Sequence, residues 1–112
     1  MKLIEIFSKL EIDNEVITNK SEIDIKGISL NSREVGQNDI FVAIKGFKTD
    51  GHKYIINAFQ NGVTNFIIED CSFITDEIKA KSSIVKVKDC RTSMALVSNI
   101  INDYPFNKLT MI

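Results

Sequence analysis

Metal chemistry has little to work with in this sequence. It holds one histidine and two cysteines, and Cys71 and Cys90 lie far apart with no CxxC pair, so a structural zinc site is not expected. Without that spacing the two thiols are expected to stay reduced, as in a cytoplasmic protein. Formal net charge is only −1, so no global field points to nucleic acid or to a membrane surface. No apolar run approaches the roughly 18 residues of a membrane span, and the N-terminal stretch MKLIEIFSKLEID carries acidic residues and no small-residue cleavage site, unlike a signal peptide. The phosphate-loop pattern GxxxxGK[ST] and the dinucleotide pattern GxGxxG are both absent, as are GxSxG and HExxH. A self-contained catalytic centre is therefore not expected, and no catalytic residue is assigned.

What remains is ordinary for a globular protein: 112 residues, 44% apolar and 26% charged, the size of one domain. Leu3, Ile6, Phe7 and Leu10 recur at helical spacing, which predicts a short amphipathic helix over 2–10. Residues 11–22 read as a polar connector. Ile23 and Ile25 share one strand parity and Ile28 and Leu30 the other, which predicts a bulge or bend at Gly27. Ile40 to Ile44 has no polar interruption and reads as a strand buried on both faces. Asp50 is placed to cap a helix whose buried face is Tyr54, Ile55, Ala58 and Phe59, with Gly62 as its stop. Strands follow at 63–69 and 83–87, separated by an irregular or briefly helical segment. Asp89 caps a last helix running to about residue 102, with Met94, Leu96, Val97, Ile100 and Ile101 as its stripe. The expected fold is a single small α/β domain, a mixed sheet of about four or five strands flanked by helices.

Two polar loops stand out because each follows a strand, and strand-end loops of α/β sheets are where ligands bind. The first is Asn31-Ser32-Arg33. It is either a capped turn with a surface arginine or a contact for an anionic nucleotide, since a serine hydroxyl both donates and accepts and arginine offers a fork of donors. The second is Lys45-Gly46-Phe47-Lys48-Thr49, followed by Asp50-Gly51-His52. Gly46 is either plain turn chemistry or a point of close backbone approach to a ligand. His52 has no evident partner base or nucleophile, so a structural role is expected for it. Phe41, Phe59 and Phe66 read as core.

Together these elements resemble the N-terminal domain of the Mur ligases of bacterial peptidoglycan synthesis. That family shows a D-S-R turn, a G-D-hydrophobic-F-V-A-hydrophobic-K-G segment, a D-G-H and a helix ending N-G. Here they read Asn31-Ser32-Arg33, Asn38-Asp39-Ile40-Phe41-Val42-Ala43-Ile44-Lys45-Gly46, Asp50-Gly51-His52 and Asn61-Gly62. The likeness continues through Val63 to Glu69, through Val87-Lys88-Asp89-Cys90-Arg91, and through Tyr104-Pro105 followed by Lys108 to Ile112. That ending looks like the MurE type, UDP-N-acetylmuramoyl-L-alanyl-D-glutamate ligase, with the MurF type as nearest competitor. Asn31 departs from the family's aspartate, keeping shape but not charge.

The resemblance implies a division of labour. Residues 1–108 are expected to be a UDP-substrate-binding domain, and 109–112 the first strand of an ATP-binding domain that the chain lacks. Leu30 and Ser32 are carried over as contacts to the UDP moiety, with Asn31, Arg33, Gly46, Phe47, Lys48 and Thr49 beside them. The implied partner is a UDP-N-acetylmuramoyl peptide in the cytoplasm. No cofactor is expected in this portion, whereas ATP and Mg2+ would serve the full-length enzyme, which adds a diamino acid. A free-standing, non-catalytic interaction module of the same fold is the alternative from another class.

Overall fold

A computed structural model of the chain describes residues 2–9, 13–44 and 50–103, without the side chains of 102 and 103. Five strands form one sheet in the order β1-β5-β4-β3-β2. They are β1 (Asn14–Asn19), β2 (Gly27–Ser29), β3 (Asp39–Val42), β4 (Asn65–Ile68) and β5 (Ser83–Val87). β2, β3, β4 and β5 run parallel, while β1 pairs antiparallel with β5. The sheet is thus mixed, as expected, with an antiparallel strand on one edge of a parallel core.

Alternation along the strands divides the core in two. Ile40, Val42, Ile67, Val85 and Val87 face one layer, which α1 (Leu3–Ser8) covers with Leu3, Ile6 and Phe7, and α4 (Cys90–Asp103) with Cys90 and Val97. Phe41, Ala43, Phe66, Ile68 and Ile84 face the other, covered by Ile55 and Ala58 of α2 (Ile55–Gln60) and Ile78 of α3 (Asp76–Lys81). The uninterrupted apolar run of β3 is explained by this: both of its faces are buried. Phe41 and Phe66 meet edge-on at 6.3 Å and 77°, a geometry that adds about 0.5–1.5 kcal/mol beyond the area buried.

Helix ends follow local chemistry. Thr75 caps α3 by accepting from the Ile78 N–H at 3.2 Å. The Asp89 carboxylate accepts from the Arg91 and Thr92 N–H groups and from the Thr92 hydroxyl at the start of α4. Those bonds, the hydroxyl of Thr92 first, hold Asp89 below its usual carboxylate range. α2 is entered through a short 3-10 helix, Gly51–Tyr54, and Gly62 ends it at φ +100, where a side chain would be strained.

Two expectations need correction. Residues 14–19, read as connector, form β1. An edge strand packs few side chains, and here only Ile17 joins the core while Val16 is left exposed, so the apolar alternation that marks a strand is missing. The bulge expected at Gly27 is also displaced. The register shifts instead in β1, between Val16 and Thr18. Gly27 opens β2 and serves a close approach, since a Cβ there would lie 2.6 Å from Asp39 Oδ1. Residues 23 and 25 belong to no strand, although Ile25 is buried. The expectations for Leu10 and for 104–112 lie outside the described residues.

Candidate functional site

Because four neighbouring strands are parallel, their C-terminal ends open on one edge of the sheet. β2 and β3 are adjacent there, with Ser29 paired to Phe41. The chain leaving β2 therefore emerges beside the chain leaving β3, on the carboxyl edge of the sheet, the edge on which α/β sheets bind ligands.

The turn after β2 builds itself from short-range bonds. The Asn31 N–H donates to Ser29 Oγ at 3.0 Å, and Asn31 Oδ1 accepts from the Arg33 N–H at 2.9 Å. The Asn31 carbonyl accepts from the N–H groups of Glu34 and Val35, each at 3.1 Å. An amide oxygen serves this Asx turn as well as a carboxylate would, which is why asparagine fits here. Val35, 3% exposed, anchors the turn in the core. The Ser32 carbonyl accepts from Asn61 Nδ2 at 2.6 Å. Among the described residues no partner takes the Ser32 hydroxyl, and it is not one of the orphaned buried atoms, Asn65 Oδ1 and Ser82 Oγ. Leu30 is 48% exposed despite its apolar side chain, and Arg33 is exposed beside it. The structure thus brings Leu30, Asn31, Ser32 and Arg33 together. Gly46, Phe47, Lys48 and Thr49 lie outside the described residues.

The residues that flank that second loop are tightly held. The Gly51 N–H donates to the Ile44 carbonyl at 2.8 Å, and a Cβ on Gly51 would lie 3.0 Å from the Ile44 backbone, so any side chain there would crowd the approach. Asp50 Oδ1 accepts from the His52 N–H at 3.0 Å and meets His52 Nδ1 at 2.6 Å. His52 is fully buried. Its Nε2 accepts from the backbone N–H groups of Glu69 and Asp70, both at 3.0 Å. A nitrogen that accepts twice carries no proton, so the ring is the neutral Nδ1–H tautomer donating to Asp50. Phe73 packs on the ring at 6.1 Å. Glu69 Oε2 in turn accepts from the Cys90 N–H at 2.7 Å. His52 is thus a strut between the ends of β3 and β4, the structural role expected of it.

A surface pocket of about 400 Å³ lies at the other end of the same edge, between β5 and β1, lined by Asp13, Asn14, Glu15, Glu69, Lys86, Val87 and Lys88. Sequence reasoning missed it because β1 was missed. Its charged lining is largely solvated, and Lys88 pairs with Asp13 at 3.4 Å with both side chains exposed. Both cysteines are free. Burial, and then the nearby Glu69 charge, push the Cys90 thiol well above its ordinary range. No group of three metal-ligating side chains occurs among the described residues, and no helix among them is long and apolar enough to cross a membrane.

Residues 24–102 match the family described as "Mur ligase family, catalytic domain". The chain belongs to the Mur ligase family. It is similar to the UDP-N-acetylmuramoyl-L-alanyl-D-glutamate–2,6-diaminopimelate ligase of Clostridium tetani (strain Massachusetts / E88), 37% identical over all 112 residues and 22% of that protein. The ligase of the same name from Clostridioides difficile (strain 630) gives the same 37% identity and coverage. The chain therefore spans about a fifth of the length of the curated relatives it matches. Among solved structures it resembles MurF from Acinetobacter baumannii, with a TM-score of 0.57 and 28% identity over 68% of this chain and 16% of that one. The MurF ligase of Thermotoga maritima in complex with ADP gives a TM-score of 0.54 and 31% identity over 69% and 17%. These Mur ligase structures support the observed α/β architecture.

Proposed function

We propose that this chain is the UDP-binding portion of a MurE-type ligase, one that holds UDP-N-acetylmuramoyl-L-alanyl-D-glutamate while a diamino acid is added to it. The observation that carries the proposal is the turn after β2. It carries an exposed Leu30 and, two residues on, a largely buried Ser32 (7% exposed) whose hydroxyl has no partner among the described residues, on the edge where parallel strands end. A flat base can lie on the apolar side chain, and a hydroxyl can hydrogen-bond a base or a phosphate oxygen. The Arg33 guanidinium and loop N–H groups supply donors for a diphosphate. Asn31 holds the turn, and Gly46, Phe47, Lys48 and Thr49 are assigned to the second side of the nucleotide by resemblance alone.

On this reading the chain does no bond-making itself. Although the matched family description says "catalytic domain", residues 24–102 contain no phosphate loop. ATP and Mg2+ would be bound by sequence beyond this chain, where ATP would supply the phosphoryl group that activates the substrate carboxylate for amide formation. The 112-residue portion contributes position, keeping the peptide's carboxylate where the activated intermediate forms. The cytoplasm, where nucleotide-linked precursors and reduced thiols occur together, is the compartment this reading implies.

Isothermal titration calorimetry of the full-length protein with the UDP-linked dipeptide tests the proposal. Ser32→Ala should weaken binding by about 0.5–1.5 kcal/mol, roughly two- to twelvefold, if one neutral hydrogen bond is lost. Unchanged affinity rejects Ser32 as a contact. The solved MurF structures, with the similar Acinetobacter baumannii UDP-N-acetylmuramoylalanyl-D-glutamyl-2,6-diaminopimelate–D-alanyl-D-alanyl ligase, favour a second reading, in which the substrate is the longer UDP-linked tripeptide. Whole-chain identity to diaminopimelate-adding relatives weighs against it. Turnover of the tripeptide but not the dipeptide would decide for MurF.

A further inference from the structure

We infer that Asn61, at the far end of α2, is a positioning residue for the UDP-linked substrate, acting through the Ser32 carbonyl. The inference rests on the binding role proposed for Ser32. The turn at 31–34 is internally complete, since Asn31 supplies its Asx bond and its two carbonyl-accepted bonds. Its shape therefore does not need α2, but its placement does. Among the described residues, the turn is tied to the rest of the fold, beyond chain continuity with β2, by the burial of Val35 and Ser32 and by the 2.6 Å bond from Asn61 Nδ2 to the Ser32 carbonyl. Val35 is apolar and sets depth without fixing orientation. The Asn61 bond restrains the peptide group of Ser32 itself, and so the backbone that carries the Ser32 hydroxyl.

Asn61 is well placed for this role. It follows α2 directly, and its backbone N–H is already taken by the carbonyls of Asn57 and Ala58. Gly62 then turns the chain at φ +100, which lets Val63 return into the core. The side-chain amide is thus carried on a rigid helix end and is free of any capping duty, while the residue remains exposed. Because the partner is a carbonyl, the amide must present nitrogen, so aspartate cannot replace it. This gives the Asn61-Gly62 pair a use beyond stopping a helix: asparagine orients the turn and glycine lets the chain leave.

Steady-state kinetics and calorimetry on the full-length protein test the inference, with Asn61→Ala, Asn61→Asp and Ser32→Ala measured side by side. Asn61→Ala and Asn61→Asp should each raise KM and Kd for the UDP-linked substrate by about three- to tenfold, with kcat and KM for ATP unchanged. Aspartate keeps the size, loses the donor and sets a carboxylate against the Ser32 carbonyl, so a loss at least as large as that of Asn61→Ala identifies the donated bond as the cause. All assays run well below the melting temperature of each variant, so loss of folded protein does not enter. Unchanged substrate affinity in both Asn61 variants, where Ser32→Ala weakens it, overturns the positioning role alone. Unchanged affinity in all three variants rejects the binding reading itself, and a fall in kcat with KM intact overturns the inference in favour of a general structural effect.

Discussion

Replacing His52 with leucine removes three hydrogen bonds while keeping most of the ring's volume. The imidazole is fully buried, and it joins Asp50 Oδ1 at 2.6 Å to the Glu69 and Asp70 N–H groups at 3.0 Å each. At a net contribution of about 1 kcal/mol per bond, the loss is about 3 kcal/mol. The two backbone N–H groups left against an apolar side chain push the figure upward, to about 5 kcal/mol. Against a typical stability of roughly 5–15 kcal/mol, the variant should still fold, with a melting temperature lower by on the order of 10–20 °C. Urea unfolding followed by circular dichroism measures the loss. Asp50→Ala should cost less, and the double variant should fall short of the sum by about 1 kcal/mol, the coupling of the shared bond. Nitrogen-15 NMR should show the Nδ1–H tautomer in the wild type. A His52→Leu variant within 0.5 kcal/mol of wild type (about the spread of a neutral surface change), or a ring protonated on Nε2 alone, would refute the strut.

Cys90 is buried and its thiol is pushed upward by burial and by Glu69, whereas Cys71 is partly exposed. Iodoacetamide at neutral pH should label Cys71 first and reach Cys90 only on unfolding, as mass spectrometry of timed samples will show. Asp89 is held below its usual 3.8 by the Thr92 hydroxyl and the helix N–H groups. A carboxylate with a lowered folded value adds stability above its unfolded value and loses it as pH falls through the folded one. Asp89→Ala should therefore flatten the loss of stability below about pH 4 while lowering stability at neutral pH. An unchanged acid limb would contradict the cap.

Much of this architecture was legible in the sequence because the signals are local. The unbroken apolar run at 40–44, the cap at Asp89 and the stop at Gly62 each follow from the residues that carry them. The strand at 83–87 was found with its observed ends, since both of its faces are packed. What was not legible depends on partners distant in sequence. β1 is recognised only by its ladder with β5, because an edge strand such as Asn14–Asn19 buries little. Gly27 looks like a bulge until Asp39 is seen against it. The same holds for the candidate site. Ser32 and Leu30 could be singled out by the turn they occupy, and the turn formed as read. Asn61 could not, because its bond to Ser32 spans 29 positions and nothing local marks it. Two of the three partners of His52 are backbone groups that nothing local marks, and the third, Asp50, was read only as a helix cap.

If the turn after β2 seats the nucleotide, a crystal structure of the full-length protein with UDP will show it most directly. The uracil should lie against Leu30, with the Ser32 hydroxyl within about 3.2 Å of a base, ribose or phosphate oxygen. Uridine seated in the pocket between β5 and β1, or anywhere that leaves Ser32 without contact, would contradict that placement.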